Sequence, residues 1–304
     1  MKITSISPSR YSCAEACDFK YYLTYEKGMG DQLSLCRFSA QFGTSVHAAL
    51  EQYAGGNQEW EKVLLEETVK SNPYEGMEHA SKKIKPLYFV DKNCHSCSYF
   101  DAPNNKCKIK DKNIDDFNGC PKILHEEAIK MVKYAQRTYG KLYTTGVKSN
   151  TNPSGKLIGI EYEFKLPIGK DDEGEDIILH GLIDLVSELD NETVEIIDYK
   201  TGFKTSSAEE LMDDIQPMAY AAAARILFPQ YKFFLLTFDY FRGKPITVTF
   251  NKEECDATII KIINKWKEIK RKTILSRRKE DYYCKYLCNR PLCDAEWQKI
   301  KMEV

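Results

Sequence analysis

The chain has 304 residues, of which 42 % are hydrophobic and 29 % are charged, and its formal net charge is −1. This composition is typical of a soluble globular protein, and the near-zero charge means that any contact with nucleic acid must come from local patches. No apolar run approaches the ~20 residues of a membrane span and Met1–Arg10 lacks an apolar signal region, so we expect a cytoplasmic protein without membrane contact.

Three helices are predicted in the first third of the chain. In Ser7–Thr24 the aromatic and small side chains recur at helical period. Phe42–Tyr53 has the same periodicity and ends before the helix stop Gly55-Gly56. Asn57–Lys70 is the third predicted helix.

Residues 72 to about 120 differ from the rest of the chain. They are polar, contain Pro73, Pro86 and Pro103, and hold four cysteines. A polar segment without apolar periodicity cannot build a core, so we interpret it as an insertion that is ordered by a metal. A helix is predicted to follow, from Pro121 to about Tyr139.

The middle of the chain changes to the period of two that is typical of strands. Polar and apolar residues alternate around Ile160–Leu166, a turn is predicted at Asp171–Gly174, and Asp190-Asn191 separates the next two strands. The predicted antiparallel meander is therefore built from strands near 160–166, 177–189 and 194–201.

A helix follows the meander, with Asp213 or Asp214 as N-cap and Pro217 in its first turn. Two strands are predicted at 233–241 and 246–250, and Asn251 with Glu254 forms a cap pair for a long last helix. The predicted class is α/β, or α+β by a stricter definition, with a mixed central sheet flanked by helices. We divide the chain into an N-terminal helical part (1–71), the cysteine-rich insertion (72–122) and a core with a cysteine-bearing tail (123–304).

A basic stretch runs from Lys265 to Lys279. It is either a local DNA-binding patch or the solvated face of a helix, and the sequence favours neither.

Asp198 and Lys200 are two residues apart on a predicted strand, so their side chains point the same way. If the preceding strand pairs with this one as a hairpin, Asp184 approaches Asp198. Two converging carboxylates repel each other unless a cation lies between them. Their hard oxygen ligands suit Mg²⁺ or Mn²⁺, and a lysine beside them is suited to orient a water for phosphodiester hydrolysis.

Five short motifs follow one another along the chain: Ser-x-Ser-Arg with a later cysteine and aromatics, Gly-x-x-Val-His, Gly-x-x-Asp, Asp-x-Lys-Thr-Gly and Gln-x-x-x-Tyr. They stand at Ser7–Arg10 with Cys17–Tyr22, Gly43–His47, Gly181–Asp184, Asp198–Gly202 and Gln216–Tyr220. In this order they resemble the RecB-like branch of the PD-(D/E)XK nucleases, which have a restriction-endonuclease-like core. Ile183 departs from the pattern, since it stands where the name-giving proline would be, but RecB-like members commonly lack that proline.

The resemblance implies a role for each matching residue. The metal ligands would be His47, Asp184 and Asp198, helped by the carbonyl of Tyr199, and Lys200 would position the attacking water. Glu161 would join through a metal-bound water. Gln216 and Tyr220, four apart on one helical face, would support the site or the DNA backbone.

The function implied is that of a Mg²⁺- or Mn²⁺-dependent DNA nuclease, with exonuclease action on single strands favoured. Recombination, repair, phage DNA metabolism and CRISPR adaptation all fit, in a bacterial, archaeal or phage-infected cell. The chain has no Gly-x-x-x-x-Gly-Lys-Ser/Thr motif, so a helicase would be a separate partner. Two alternatives remain open: a non-catalytic iron–sulfur DNA-binding or assembly subunit, and a hydrolase of RNA or nucleotides.

Eleven cysteines are unusual for a chain in a reducing compartment, where cysteine clusters indicate metals more often than disulfides. Cys284, Cys288 and Cys293 lie close together near the C-terminus and need a fourth ligand for a four-cysteine site. The resemblance to AddB-type and CRISPR-adaptation nucleases implies a [4Fe–4S] cluster with Cys17 as that ligand. Cys13 is the alternative to Cys17, and three ordinary thiols are the alternative to the cluster.

The insertion holds a second set of cysteines: Cys94, Cys97, Cys107 and Cys120. Four thiolates in a segment without a core predict a structural Zn²⁺ site, with a second iron–sulfur cluster as the alternative. A thioredoxin-like redox pair is disfavoured because no βαβ pattern surrounds the two nearest cysteines. Cys36 and Cys255 are predicted to be buried thiols.

Overall fold

The computed structural model describes residues 5–33, 38–71, 94–109, 112–113, 122–145, 156–202, 205–272, 276–277, 284 and 288–303. The chain forms two compact units. The first comprises Met1–Leu35, Lys148–Asp198 and Lys204–Val304, and the second Cys36–Val147 and Tyr199–Phe203. Two of the cysteines named above, Cys36 and Cys120, lie outside the described residues.

The helices of the described part, in chain order, are α1 (Pro8–Ala16), α2 (Asp18–Tyr21), α3 (Gly30–Leu33), α4 (Phe38–Ala54), α5 (Trp60–Ser71), α6 (Lys122–Thr145), α7 (Ala208–Asp213), α8 (Ile215–Leu227), α9 (Lys252–Arg271) and α10 (Arg290–Glu303). The strands are β1 (Phe100–Asp101), β2 (Lys106–Cys107), β3 (Lys112–Asn113), β4 (Lys156–Lys170), β5 (Asp176–Asp190), β6 (Thr193–Lys200), β7 (Phe233–Tyr240) and β8 (Ile246–Asn251). None of the helices in this part of the chain is long and apolar enough to cross a lipid bilayer.

The first unit is built on a five-stranded mixed sheet with the order β4-β5-β6-β7-β8, flanked by helices. The predicted antiparallel meander is confirmed, since β4 pairs antiparallel with β5 and β5 with β6. Its first two strands are longer than predicted, because alternating side chains continue to both sides of the turn. The second hairpin, β7 with β8, is also antiparallel. This architecture confirms the predicted mixed α/β core.

Helix α8 follows the meander and packs into the core of the first unit. Its residues Ala221–Ala224 are fully buried, and such small side chains let the helix backbone approach its neighbours closely. The helix begins after Asp214, whose carboxylate accepts a hydrogen bond from the backbone N–H of Gln216 at 2.7 Å. This cap confirms one of the two predicted N-cap residues.

The N-terminal helix is interrupted at Cys17, so the prediction of one helix from Ser7 to Thr24 was wrong. Cys17 is extended, and its Sγ accepts a hydrogen bond from the N–H of Lys20 at 3.4 Å, which caps α2. Five residues of π-helix, Tyr22–Glu26, then replace the expected α-helical end. The Cys17 side chain thus binds a backbone N–H that a continuous helix would bond to a backbone carbonyl, and this favours the break at Cys17.

The basic end of α9 is paired with acids of the same unit. The turn between β4 and β5 supplies three of them: Asp172 binds Lys267 and Arg271, and Asp171 and Glu173 both bind Lys270, at 2.5 to 3.0 Å. Lys272 binds the buried Asp18 at 2.7 Å. These acids balance much of the charge of the Lys265–Lys279 stretch, which weakens it as a surface for DNA.

The second unit contains α4, α5, α6 and a small antiparallel sheet, β1-β2-β3. Helix α6 extends to Thr145, one and a half turns beyond the predicted end near Tyr139. The additional turn carries Tyr143, whose ring contacts the rings of Tyr53 and Tyr139.

Candidate active site

Asp184 and Asp198 stand on the neighbouring strands β5 and β6 of the first unit. The pair Leu185↔Ile197 is in register, and one further step along both strands brings Asp184 opposite Asp198. Both carboxylates are buried, with 7 % and 5 % of their surface exposed. Two buried charges of the same sign are costly without a cation, so this pair predicts a metal site.

Two side chains of α8 hold the carboxylate of Asp198. Gln216 Nε2 donates to Asp198 Oδ1 at 2.8 Å and to the hydroxyl of Tyr220 at 3.0 Å. Tyr220 Oη lies 2.9 Å from the Leu182 carbonyl oxygen and 3.3 Å from the same Oδ1. One carboxylate oxygen is therefore anchored by the protein, which fixes the direction in which the other oxygen points.

Tyr220 is held in its protonated form. Burial raises its pKa well above the usual value, and the charges of Asp198 and Asp184 raise it further. The hydroxyl remains a hydrogen-bond donor at any pH at which the protein would work. Tyr220 therefore positions Asp198 and does not itself accept a proton.

Glu161 lies on β4, opposite Asp184. The pairs Ile160↔Leu185 and Tyr162↔Ile183 enclose these two residues, and a carboxylate oxygen of Glu161 lies within 4.8 Å of one of Asp184. The backbone of Glu161 is left-handed, with φ 45°, although the residue is not glycine. A left-handed conformation costs about 1 to 2 kcal/mol in a residue with a β-carbon, so the site stores strain at this carboxylate.

Three carboxylates thus meet on one side of the sheet: Glu161, Asp184 and Asp198. Carboxylate oxygens are hard ligands, so this donor set suits a divalent metal ion.

Gly181, the first residue of the Gly-x-x-Asp motif, is needed for packing behind this site. A β-carbon there would lie 2.7 and 2.9 Å from two ring atoms of Phe164. Phe164 is buried and contacts the ring of Tyr220 edge to face, with 6.4 Å between the centroids. A side chain at position 181 would therefore push Phe164 towards the tyrosine that holds Asp198.

We expect Gly181→Ala to lower the free energy of unfolding by about 1 to 3 kcal/mol, as overpacking does in other cores. Urea denaturation followed by circular dichroism measures this loss. The double variant Gly181→Ala/Phe164→Leu should lose less than the sum of the two single variants, because the smaller side chain leaves room for the new methyl group. Strict additivity would contradict the proposed contact.

The second unit holds three other predicted site residues: His47, Tyr199 and Lys200. His47 Nε2 lies 3.2 Å from the carbonyl oxygen of Tyr199. Two ligands at right angles around an ion at about 2.1 Å lie about 3 Å apart, so this pair has the separation of two metal ligands. Lys200 ends β6 and is half-buried.

Tyr199 is enclosed by aromatic side chains of α6 that sequence reasoning missed. Its hydroxyl contacts that of Tyr143, and its ring lies 5.6 Å from the ring of Tyr139. Tyr139 and Tyr143 are four residues apart, so they share one face of α6. That spacing was visible in the sequence, but nothing local indicated which residue they contact.

Cysteines of the first unit gather where the N-terminal helices meet α10. Cys17 and Cys293 pack against a cluster formed by Phe19, Leu23 and Leu33, and Trp297 lies edge to face on Phe19 at 4.8 Å. The pKa of Cys293 is raised to about 11, mainly by burial. The charge of Arg277 acts in the opposite direction, and the neighbouring Cys17 and Cys288 contribute to the increase. Three of the four predicted cluster ligands are thus electrostatic neighbours.

The fourth ligand, Cys284, is half-buried in the same unit. Cys13 also lies near this group. Burial raises the pKa of Cys13, Lys20 lowers it, and the nearby thiols of Cys17 and Cys288 raise it. Both Cys13 and Cys17 therefore lie near the C-terminal thiols. Cys255 is fully buried, as predicted.

In the second unit Cys94 and Cys97 form a tight turn, in which the N–H of Cys97 donates to the carbonyl of Cys94 at 2.9 Å. Cys107 is buried on β2 and pairs with Phe100 of β1. The three thiols therefore belong to one small hairpin element. The predicted fourth ligand, Cys120, lies outside the described residues.

The sequence profile of the PD-(D/E)XK nuclease superfamily matches residues 5–101 and 119–294. The chain belongs to this superfamily. The matched ranges include all five motifs and the carboxylates Glu161, Asp184 and Asp198. Membership supports a metal-dependent nuclease activity for the chain.

Two solved structures are distantly similar to this nuclease. A Eubacterium rectale protein with a provisional exonuclease name is 11 % identical, with a TM-score of 0.43 over 93 % of this chain and 92 % of its own. The protein SSO0001 is 13 % identical, with a TM-score of 0.29 over 55 % and 67 %. No curated protein is significantly similar in sequence. With TM-scores below 0.5, neither similarity indicates a function for this chain.

Proposed function

We propose that the chain is a metal-dependent deoxyribonuclease whose centre is formed by Glu161, Asp184 and Asp198. The observation that carries the proposal is the arrangement around Asp198. Its carboxylate is buried, lies opposite Asp184 and is held through one oxygen by Gln216 and Tyr220. Ligating carboxylates are typically oriented by hydrogen bonds from neighbouring side chains, which direct the remaining oxygen toward the metal.

By the resemblance to the RecB-like branch, His47 and the carbonyl of Tyr199 are proposed as further metal ligands. Their 3.2 Å contact is a hydrogen bond when His47 Nε2 carries a proton, and loss of this proton turns the nitrogen into a ligand. Bound Mg²⁺ or Mn²⁺ supplies an activated water and neutralises charge on the phosphate. Lys200, two residues after Asp198 on β6, orients the attacking water.

We also propose that Cys17, Cys284, Cys288 and Cys293 hold a [4Fe–4S] cluster. The support is that three of these thiols, Cys17, Cys288 and Cys293, lie close together beside the aromatic contact between Phe19 and α10. The chemistry supplied by the cluster would be structural, since it ties α10 to the N-terminal helices. Serine in place of Cys293 is expected to remove the visible absorption and bound iron and to lower Tm.

A structural Zn²⁺ is proposed for Cys94, Cys97, Cys107 and Cys120, with a second cluster as the alternative. The turn of the first two cysteines, with the third on the adjacent hairpin, supports this assignment. Metal analysis of purified protein decides between zinc and iron.

Single-stranded DNA is the proposed substrate and exonuclease action the proposed mode, by resemblance to the RecB-like branch. A helicase, or a recombination or CRISPR protein, is the proposed partner on the same ground.

The test is cleavage of end-labelled single- and double-stranded DNA in Mg²⁺ or Mn²⁺ by protein purified without oxygen. Wild type is compared with Asp184→Asn and with the control Asp190→Asn, an exposed aspartate on the same strand. Cleavage by wild type and the control, and none by Asp184→Asn, is the expected result. An inert wild type with an intact visible spectrum would replace the enzyme with a non-catalytic DNA-binding subunit.

A further inference from the structure

A set of basic side chains lies on the β4–β5 hairpin, on the same strands as the carboxylates. Lys165 and His180 are direct partners across the two strands. Lys165 is exposed and His180 is half-buried. Lys165 offers positive charge, and both residues offer N–H donors.

Arg10 joins this pair through the N-terminal segment. Ile6 adds a short parallel bridge to Leu179, and the N–H of His180 donates to the Ile6 carbonyl at 2.9 Å. Arg10 donates from its guanidinium to the carbonyl and hydroxyl oxygens of Ser5 at 3.1 and 2.9 Å. The segment next to His180 therefore also anchors the arginine.

The three side chains are close enough to influence one another. Burial lowers the pKa of His180, the charges of Arg10 and Lys165 lower it further, and Glu163 acts in the opposite direction. An anion placed among the three would relieve this repulsion. The group is therefore electrostatically suited to a phosphate.

The position of the group along the sheet relates it to the active site. Side chains alternate on a strand, so His180, Leu182 and Asp184 face the same side. His180 is four residues from Asp184, roughly 13 Å along β5. The intervening pair, Glu163 with Leu182, offers no cation, and Leu182 is 46 % exposed. A phosphate is therefore expected at the basic group and not continuously along the hairpin.

We propose that Lys165, His180 and Arg10 form a subsite that binds a DNA backbone phosphate a few nucleotides from the scissile bond. The inference rests on the proposed nuclease function. It makes cleavage depend on substrate length, because short substrates cannot reach the subsite. It also predicts a contact that is independent of base sequence.

The experiment uses single-stranded oligonucleotides of increasing length, and a set that carries one neutral methylphosphonate linkage at each successive position. Wild type is compared with Lys165→Gln, His180→Gln and the control Lys156→Gln, an exposed lysine at the other end of β4. For wild type and the control, kcat/KM should rise about tenfold at one length and fall about tenfold with a neutral linkage at the matching position. Both subsite variants should lose the rise and the sensitivity to that linkage.

Fluorescence anisotropy measures the affinity for the same oligonucleotides, with Ca²⁺ in place of Mg²⁺ or Mn²⁺ so that binding is observed without cleavage. Both variants should bind about tenfold more weakly. The slope of log K against log salt should fall by about 0.7 for Lys165→Gln only, because the lowered pKa of His180 leaves no charge to lose in His180→Gln. Variants that match Lys156→Gln, or that remain sensitive to the neutral linkage, would overturn the subsite. Absence of cleavage with these binding differences intact would overturn the nuclease function and leave the subsite standing.

Discussion

Replacing Lys200 with alanine is expected to lower kcat for DNA cleavage by about a thousandfold, within the range that a positioned acid–base group contributes. Lys200 ends the strand that carries Asp198, and its ammonium is the group proposed to orient the attacking water. Asp198 is held by Gln216 and Tyr220, so its orientation does not rest on Lys200 alone. We therefore expect KM and Mn²⁺ binding to change far less than kcat.

Single-turnover cleavage and Mn²⁺ titration by electron paramagnetic resonance separate these two effects. Lys244→Ala, at an exposed lysine outside the strands, is the matched control. If Lys200→Ala lost Mn²⁺ binding in proportion to its rate, the lysine would belong to the framework of the metal site and would not act on water. A rate within threefold of wild type would remove Lys200 from the mechanism.

Replacing Glu161 with glycine should abolish cleavage and at the same time stabilise the metal-free protein. Two terms favour the variant: release of a left-handed backbone, worth about 1 kcal/mol, and removal of a carboxylate within 4.8 Å of another. With saturating Mn²⁺ the difference should shrink or reverse, because ligand binding stabilises only a protein that can hold the ion. Urea denaturation in EDTA and in Mn²⁺ measures both free energies.

Glu161→Ala separates the two terms, since alanine removes the charge but keeps the β-carbon that strains the backbone. The glycine variant should exceed the alanine variant by about 1 kcal/mol in either buffer. A glycine variant that is less stable than the alanine variant would show that the backbone is not strained at this position. Unchanged cleavage by both variants would remove Glu161 from the metal site.

Local signals made much of the fold predictable from the sequence. The cap pair of α9 formed as expected, with Asn251 Oδ1 accepting from the Glu254 N–H at 2.9 Å and Glu254 Oε2 accepting from the Asn251 N–H at 2.8 Å. The strands of the meander were placed correctly because alternation and turn residues are encoded within a few positions. Helix α7 was missed, although Ser207 and Glu210 form the same kind of capping box.

The motifs allowed the residues of the site to be named, but they did not predict the backbone conformation of those residues or their long-range contacts. Nothing in the sequence around Glu161 indicates a left-handed backbone, because the strain is imposed by the partner strand. The pairing of the α9 cations with the turn at Asp171–Glu173 joins residues about a hundred positions apart. Spacing within a motif cannot report contacts of that range.

The contacts between the N-terminal helices and the C-terminal segment of the first unit have a consequence for synthesis. The Asp18 carboxylate binds the side chains of Lys272 and Ser276, which follow it by 254 and 258 positions in the sequence. The N–H of Asn289 donates to the Leu33 carbonyl. At ribosomal rates, helices α1 to α3 wait roughly 10 to 50 s for these partners to emerge. During that interval Cys17 stands without its proposed co-ligands, so cluster insertion would be among the last events of folding.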